Sequence, residues 1–248
     1  MQKPRKIPLE AIIARSDELF NAEQSSAVGE HLRFWLKEAR EMGDKSGELS
    51  LLNELMGHYR MAHDELRGLE SVRQAVSLAE ALGVSRTLSA GTIFLNAATA
   101  LHSFGKVAEA LKLYEKCSAI YEEHLAPNDP LRAGLYNNMA AAFMEEGSFK
   151  AAENCYLQAL DLLKEVQNIC DAAVTCLNLA QLYRKQGEDK ELVESMVMCA
   201  YDYFNTPGER EGYYAHTCRK CAAGFGGLGY PEIEKELNLR ADEYYAGH

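Results

Sequence analysis

The sequence predicts an all-α fold, a right-handed α-solenoid of stacked antiparallel helical hairpins with about twelve helices. One phrase is written three times. Leu95-Asn96-Ala97-Ala98, Asn137-Asn138-Met139-Ala140 and Leu177-Asn178-Leu179-Ala180 each reach a glycine nine residues after the asparagine, at Gly105, Gly147 and Gly187. The spacing of 42 and then 40 residues continues to Gly229 downstream and to His63 upstream. A fixed period of this length marks one supersecondary unit stacked on copies of itself. Around each glycine, small and apolar residues fall at helical spacing, and the prolines stay out of the helix interiors they would break.

Taken in order, residues 1–7 form an N-terminal tail and residues 8–248 a single solenoid. Residues 8–43 hold two amphipathic segments, Leu9 to Phe20 and Ser25 to Met42, which read as a capping hairpin over the first repeat's apolar face. Repeat 1 spans 46–84, with Tyr59, Gly68, Val72 and Ala75 at packing positions and His63-Asp64 at the turn. In repeat 2 (86–126), Ala98, Leu101, Ala110, Tyr114 and Cys117 surround Gly105. Repeat 3 (130–168) is the clearest: Met139, Ala140 and Phe143 precede Gly147, and Phe149, Ala152, Tyr156 and Ala159 follow it. Gly147-Ser148 sits where a tight interhelical turn needs a residue without steric penalty. Repeat 4 (170–206) places Ala180, Tyr183, Leu192, Met196 and Cys199 around Gly187, and repeat 5 (208–248) carries Ala222, Phe225 and Ala241 around Gly229. Pro127, Pro130 and Pro207 fall between units, and Pro231 falls in the first turn of a helix, where proline is tolerated.

The small-aromatic-small hairpin of Asn138-Met139-Ala140, Phe143, Gly147, Phe149, Ala152, Tyr156 and Ala159 resembles the tetratricopeptide repeat, over roughly residues 46 to 248. That family's usual period is about 34 residues. The surplus here corresponds to about one extra turn per helix, so the resemblance is to the long-helix branch, similar to kinesin light chain and bacterial peptide-sensing arrays. It implies a non-catalytic scaffold that binds protein or peptide.

Composition narrows the partners. With 37 acidic against 26 basic residues the net charge is -11, which opposes binding to nucleic acid and to anionic membrane. No stretch approaches the roughly 20 apolar residues of a membrane span. The basic start runs into Glu10, Arg15, Asp17 and Glu18, which interrupt a signal-peptide core. Seven cysteines scattered over helical patterns fit reduced thiols in a cytoplasmic protein.

In such a stack the first helix of each hairpin lines the concave surface, so a polar residue recurring at one register makes a ladder. Asn96, Asn138 and Asn178 form it, with Glu54 and Lys220 at the corresponding outer positions. An amide offers two donors and an acceptor, suited to the backbone of an extended peptide; the same recurrence would equally serve to order the stack. The resemblance favours the first role, since asparagines at this register commonly contact a bound peptide in the family. Asn137, Arg60, His102, Arg184, Lys185, Arg219 and Lys220 share the predicted groove, and their charge suits a carboxylate or an acidic segment, although solvated helix faces look the same. The family's dicarboxylate clamp is incomplete: Thr92, Gly134, Val174 and His216 stand where it uses lysine.

Other motifs are weaker. His216, Cys218 and Cys221 are too few for a closed zinc site and read as core thiols. Gly224-Phe225-Gly226-Gly227-Leu228-Gly229 lacks the preceding strand of a phosphate loop and is expected to fray its helix into a flexible turn. His31 and His63-Asp64 lack converging ligands for a metal-dependent hydrolase. No cofactor is expected. Tyr114, Phe143, Tyr156 and Tyr183 are predicted core, whereas Tyr201, Tyr203, Tyr213, Tyr214, Tyr244 and Tyr245 exceed what the pattern needs. Together with the open face of the last helix (Ile233, Leu237, Leu239, Tyr244) they offer an alternative, a homodimer or other structural oligomer formed through the C-terminal helix.

Overall fold

The computed structural model describes residues 6–22, 24–187, 189–206 and 211–247. Most of the predicted tail and Pro207 lie outside the described residues. Among those described there are twelve α-helices and no strand: α1 (Leu9–Asn21), α2 (Ser25–Met42), α3 (Lys45–Met61), α4 (Glu65–Ala81), α5 (Leu88–Ser103), α6 (Val107–His124), α7 (Pro130–Glu146), α8 (Phe149–Glu165), α9 (Ile169–Gln186), α10 (Lys190–Asn205), α11 (Gly212–Leu228) and α12 (Pro231–Ala246). They pair as six successive hairpins, α1 with α2 through α11 with α12. The chain divides into two compact units, residues 1–124 and 125–248, each holding three of these hairpins.

The recurring glycine is explained by the turns. Gly105, Gly147, Gly187 and Gly229 all adopt positive φ, between +73° and +99°. That is the left-handed conformation that ends a helix and that side chains with a Cβ resist. Gly147 closes α7 in this way, its N–H donating to the carbonyls of the last turn. The upstream member of the series, His63, adopts the same conformation (φ +54°) without being glycine. His63→Gly is therefore expected to raise stability by about 0.5–1 kcal/mol, relieving left-handed strain. A chemical-denaturation midpoint at or below that of the unaltered protein would show that the imidazole compensates for it.

Helix starts follow local chemistry. Thr87, Asp64, Asn168 and Asp189 each accept a hydrogen bond from a first-turn N–H, the usual N-cap arrangement. Asp129 does the same for Leu131 at 2.9 Å, so Pro130, expected between units, is the first residue of α7, where its missing N–H costs nothing. Pro231 opens α12 likewise. Asp44 both caps and ties. Buried at the start of α3, it accepts from Gly47 N at 3.0 Å and from Ile7 N at 3.1 Å, which fastens the chain ahead of α1 to the second hairpin. Beside it, burial acts to raise the Glu48 carboxyl, but hydrogen bonds from Lys45 and Arg40 outweigh it and hold the group below its ordinary value.

The core of the first unit is built on Leu32, Leu52, Leu55, Met56, Phe94, Tyr114 and Tyr121, all buried. In the second unit Tyr156, Tyr183, Leu177, Leu179, Phe204, Phe225 and Leu237 form one cluster with a bed of alanines. Of the four predicted core aromatics, Tyr114, Tyr156 and Tyr183 are buried, whereas Phe143 is only partly covered and packs on the cluster's edge. The glycine run does not fray α11, which continues unbroken to Leu228. A Cβ on Gly224 would lie 2.7 Å from Leu177 Cδ2, and one on Gly226 would overlap the carboxylate of Glu234. These glycines allow α9 and α12 to approach α11 closely, and that contact offsets their low helix propensity.

Candidate functional site

The asparagines of the repeated phrase stand at equivalent points of α5, α7 and α9, and their surroundings differ. Asn96, half-buried, donates from Nδ2 to Oδ1 of Asn53 on α3 at 2.9 Å. Asn53 in turn donates to Glu54 at 3.3 Å, so the outermost ladder position is part of the same chain of contacts. Asn137 donates from Nδ2 to Thr175 Oγ1 of α9 at 2.9 Å, and the one Thr175 hydroxyl proton has two acceptors in reach, the Asp171 carbonyl at 2.8 Å and Asn137 Oδ1 at 3.1 Å. Both residues therefore pin one hairpin to the next. Asn138 and Asn178 are half-buried too, but among the described residues their amides make no hydrogen bond.

Around these two amides the first helices of the second unit present an open stripe. On α7, Gly134, Asn138, Ala141 and Glu145 are exposed or half-buried, as are Val174, Asn178, Gln181 and Lys185 on α9 and His216, Lys220, Ala223 and Gly227 on α11. The intervals of three and four residues keep each set on one helix face. Immediately beside them Ala140, Leu177, Leu179 and Ala222 are buried, which locates the edge of the core. Small residues (Gly134, Ala141, Ala223, Gly227) and amides (Asn138, Asn178, Gln181) make up most of this stripe, with Glu145, Lys185, His216 and Lys220 as its charged or titratable members.

The basic residues predicted for a groove are mostly engaged elsewhere. Arg184 donates to the Gly227 carbonyl near the end of α11, and Lys185 donates to the Met144 carbonyl near the end of α7 at 3.3 Å, with its ammonium 5.8 Å from the centre of the Phe149 ring. Both charges answer the negative dipole end of a neighbouring helix; the Met144 carbonyl takes Lys185 in addition to the N–H of Gly147. Arg219 pairs with Asp242 of α12 and so turns to its own hairpin. His102 and Arg60 lie half-buried in the first unit. Lys220 is exposed and forms no ion pair among the described residues.

The remaining candidates find ordinary places. Cys218 and Cys221 are buried, and burial pushes the Cys221 thiol up to about 12. His63 is a turn residue, and Asp64 caps α4. Among the surplus tyrosines, Tyr201 donates to Glu236 at 2.7 Å, Tyr213 to Asp171, and buried Tyr214 to the Phe204 carbonyl at 3.0 Å. On α12, Leu237 and Ala241 are buried in the hairpin, while Leu239 and Tyr245 are about half exposed. Sequence reasoning did not single out Arg240, which donates to the Phe204 carbonyl, Tyr214 Oη, Asn205 Oδ1 and Glu236, joining α12 to the end of α10.

Stacked antiparallel hairpins with a distinct face on their first helices define an α-solenoid repeat protein. Residues 91–131, 133–162 and 175–200 each match a tetratricopeptide repeat model, and these are the segments that carry the repeated asparagine-to-glycine phrase. The chain therefore carries tetratricopeptide repeats in these three segments. Solved structures agree in fold. A kinesin light chain of Podosopora anserina with nearly identical TPR-like repeats is 20% identical, with TM-score 0.58 over 80% of this chain and 95% of that one. PilW, a widely conserved type IV pilus biogenesis factor, is 13% identical, with TM-score 0.63 over 98% and 96%. A Rap protein complexed with competence and sporulation factor is 14% identical, with TM-score 0.64 over 98% and 66%. No curated protein matches the chain in sequence. Tetratricopeptide arrays typically mediate protein–protein interactions and are generally non-catalytic scaffolds. No helix among the described residues is long and apolar enough to cross a membrane.

Proposed function

We propose that the open stripe on α7, α9 and α11 binds an extended segment of a protein partner, with the amides of Asn138 and Asn178 on the segment's backbone. One observation carries this reading. Of the asparagines at or beside the repeated register, Asn96 and Asn137 are hydrogen-bonded to a neighbouring repeat, whereas Asn138 and Asn178 are half-buried and unengaged among the described residues. A half-buried amide without a partner forgoes hydrogen bonds that a ligand can supply. Lys220, exposed at the corresponding point of α11, supplies a cation for a carboxylate on the segment. Asn96 and His102 belong to the first unit, Asn137, Arg184, Lys185 and Arg219 hold the second unit together, and the binding role is assigned to the other three.

The test is to select peptides from a random library on the full chain and to titrate the best of them calorimetrically. Asn138→Ala combined with Asn178→Ala is expected to weaken binding by about tenfold or more, since each amide bond contributes roughly 0.5–1.5 kcal/mol. Asn137→Ala is expected to lower stability and leave affinity nearly unchanged. Equal affinity of the unaltered protein and the double variant removes the asparagines from the site.

A further inference from the structure

Cys176 of α9 and Cys199 of α10 face each other across the fourth predicted repeat, with their sulfurs 3.2 Å apart. This is closer than ordinary contact between two sulfur atoms and about 1 Å longer than a disulfide bond. The two thiols differ in access. Cys176 is fully buried. Cys199 is half-buried and lines an open cleft of about 440 Å³, together with Ser195, Met198, Asp202, Tyr203 and Thr206. An accessible thiol with a second thiol directly behind it is the arrangement that lets a dithiol exchange with an external disulfide.

We propose that Cys199 and Cys176 form a redox-active pair, in which Cys199 is the entry thiol and Cys176 the resolving one, and that the oxidant is a small-molecule disulfide. The Cys199 thiolate attacks one sulfur of that disulfide. The external S–S bond breaks, a mixed disulfide forms on Cys199, and one small thiol leaves. Cys176 then attacks Cys199 Sγ, its proton passing to the departing sulfur, so that the second small thiol is released and the protein disulfide closes. Two protein thiols are oxidised, and one external disulfide is reduced to two thiols. Burial pushes the Cys176 thiol above its ordinary value, so it enters second and slowly. The carboxylate of Asp202 in the cleft favours a cationic disulfide over an anionic one. The new bond would fasten the first helix of this hairpin to the second across the Gly187 turn.

The full chain, reduced and desalted, is incubated under native conditions with cystamine, a small cationic disulfide, then quenched with an alkylating agent and mapped by mass spectrometry. The expected product is a peptide pair joined through Cys176 and Cys199, in most molecules, with a loss of two hydrogen atoms in the intact mass. Cys176→Ser is expected to stop at a stable adduct on Cys199, and Cys199→Ser to give no adduct on Cys176. The cross-linked protein should melt several degrees higher, because the bond closes a loop in the unfolded chain. A stable adduct on Cys199 in the unaltered protein would overturn the proposal, as would adducts at Cys155 or Cys170 with Cys199 untouched.

Discussion

Phe204→Ala is expected to destabilise the second unit by about 3–5 kcal/mol, the range for emptying a large buried aromatic site. Phe204 is 1% exposed at the end of α10. Its ring makes edge contacts with Tyr214 and Phe225 at centroid distances of 6.1 Å and 6.2 Å. Both partners belong to α11, so the one side chain joins the fifth hairpin of the chain to the sixth. Tyr214 is kept from filling the space by its hydroxyl, which is held on the Phe204 carbonyl. The cavity therefore persists, and the loss sits at the upper part of the range rather than being absorbed by collapse. A thermal melt should show the midpoint falling by roughly 10 °C. Hydrogen exchange should locate the loosening in α9 to α12 while the amides of α1 to α6 keep their protection. A loss below about 1 kcal/mol would mean that α10 and α11 are held by something other than this ring. Phe204→Leu, which leaves most of the volume filled, should cost about 1 kcal/mol.

Arg240→Met comes second, with an expected cost of about 2–4 kcal/mol. Its side chain is 13% exposed and reaches four acceptors, two of which, the Phe204 carbonyl and Tyr214 Oη, lie at 2.9 Å in the interior. Methionine keeps the apolar stem but returns none of the hydrogen bonds, and charge-assisted bonds to partly buried acceptors contribute about 1.5–3 kcal/mol each before compensation. Tyr214 still donates to the carbonyl, which limits the loss. Chemical denaturation of Arg240→Met, Phe204→Ala and the pair should give less than the sum of the two single effects, since they share Tyr214 and the Phe204 carbonyl. Strict additivity would separate the guanidinium from the ring energetically and sink this account of the junction.

The hairpins were legible in the sequence because a turn between antiparallel helices has a local requirement. Left-handed φ selects glycine, and Gly105, Gly147, Gly187 and Gly229 meet that requirement whatever surrounds them. The glycine run of α11 reads locally as a turn because its requirement lies in other helices: Leu177 of α9 and Glu234 of α12 occupy the space where side chains would go. The site was legible in part for the same reason. Periodicity places Asn96, Asn138 and Asn178 at one point of their helices but cannot say what stands opposite. Asn96 meets Asn53, one residue before the equivalent register, whereas the residue that meets Thr175 is Asn137 and not the ladder residue beside it. Register alone places Arg184 and Lys185 in the groove too. They stand in the last turn of α9, long enough to reach carbonyls at the ends of α11 and α7.

The contacts between first helices have a bearing on modularity. An amide on an amide joins α3 to α5, an amide on a hydroxyl joins α7 to α9, and an arginine on a carbonyl joins α9 to α11. These three seams thus have different keys. The hairpins that carry these keys are alike in outline, yet exchanging one for another would set a polar group against a neighbour that does not match it. Order along the chain is written into the joints, and the hairpins themselves could be nearly alike.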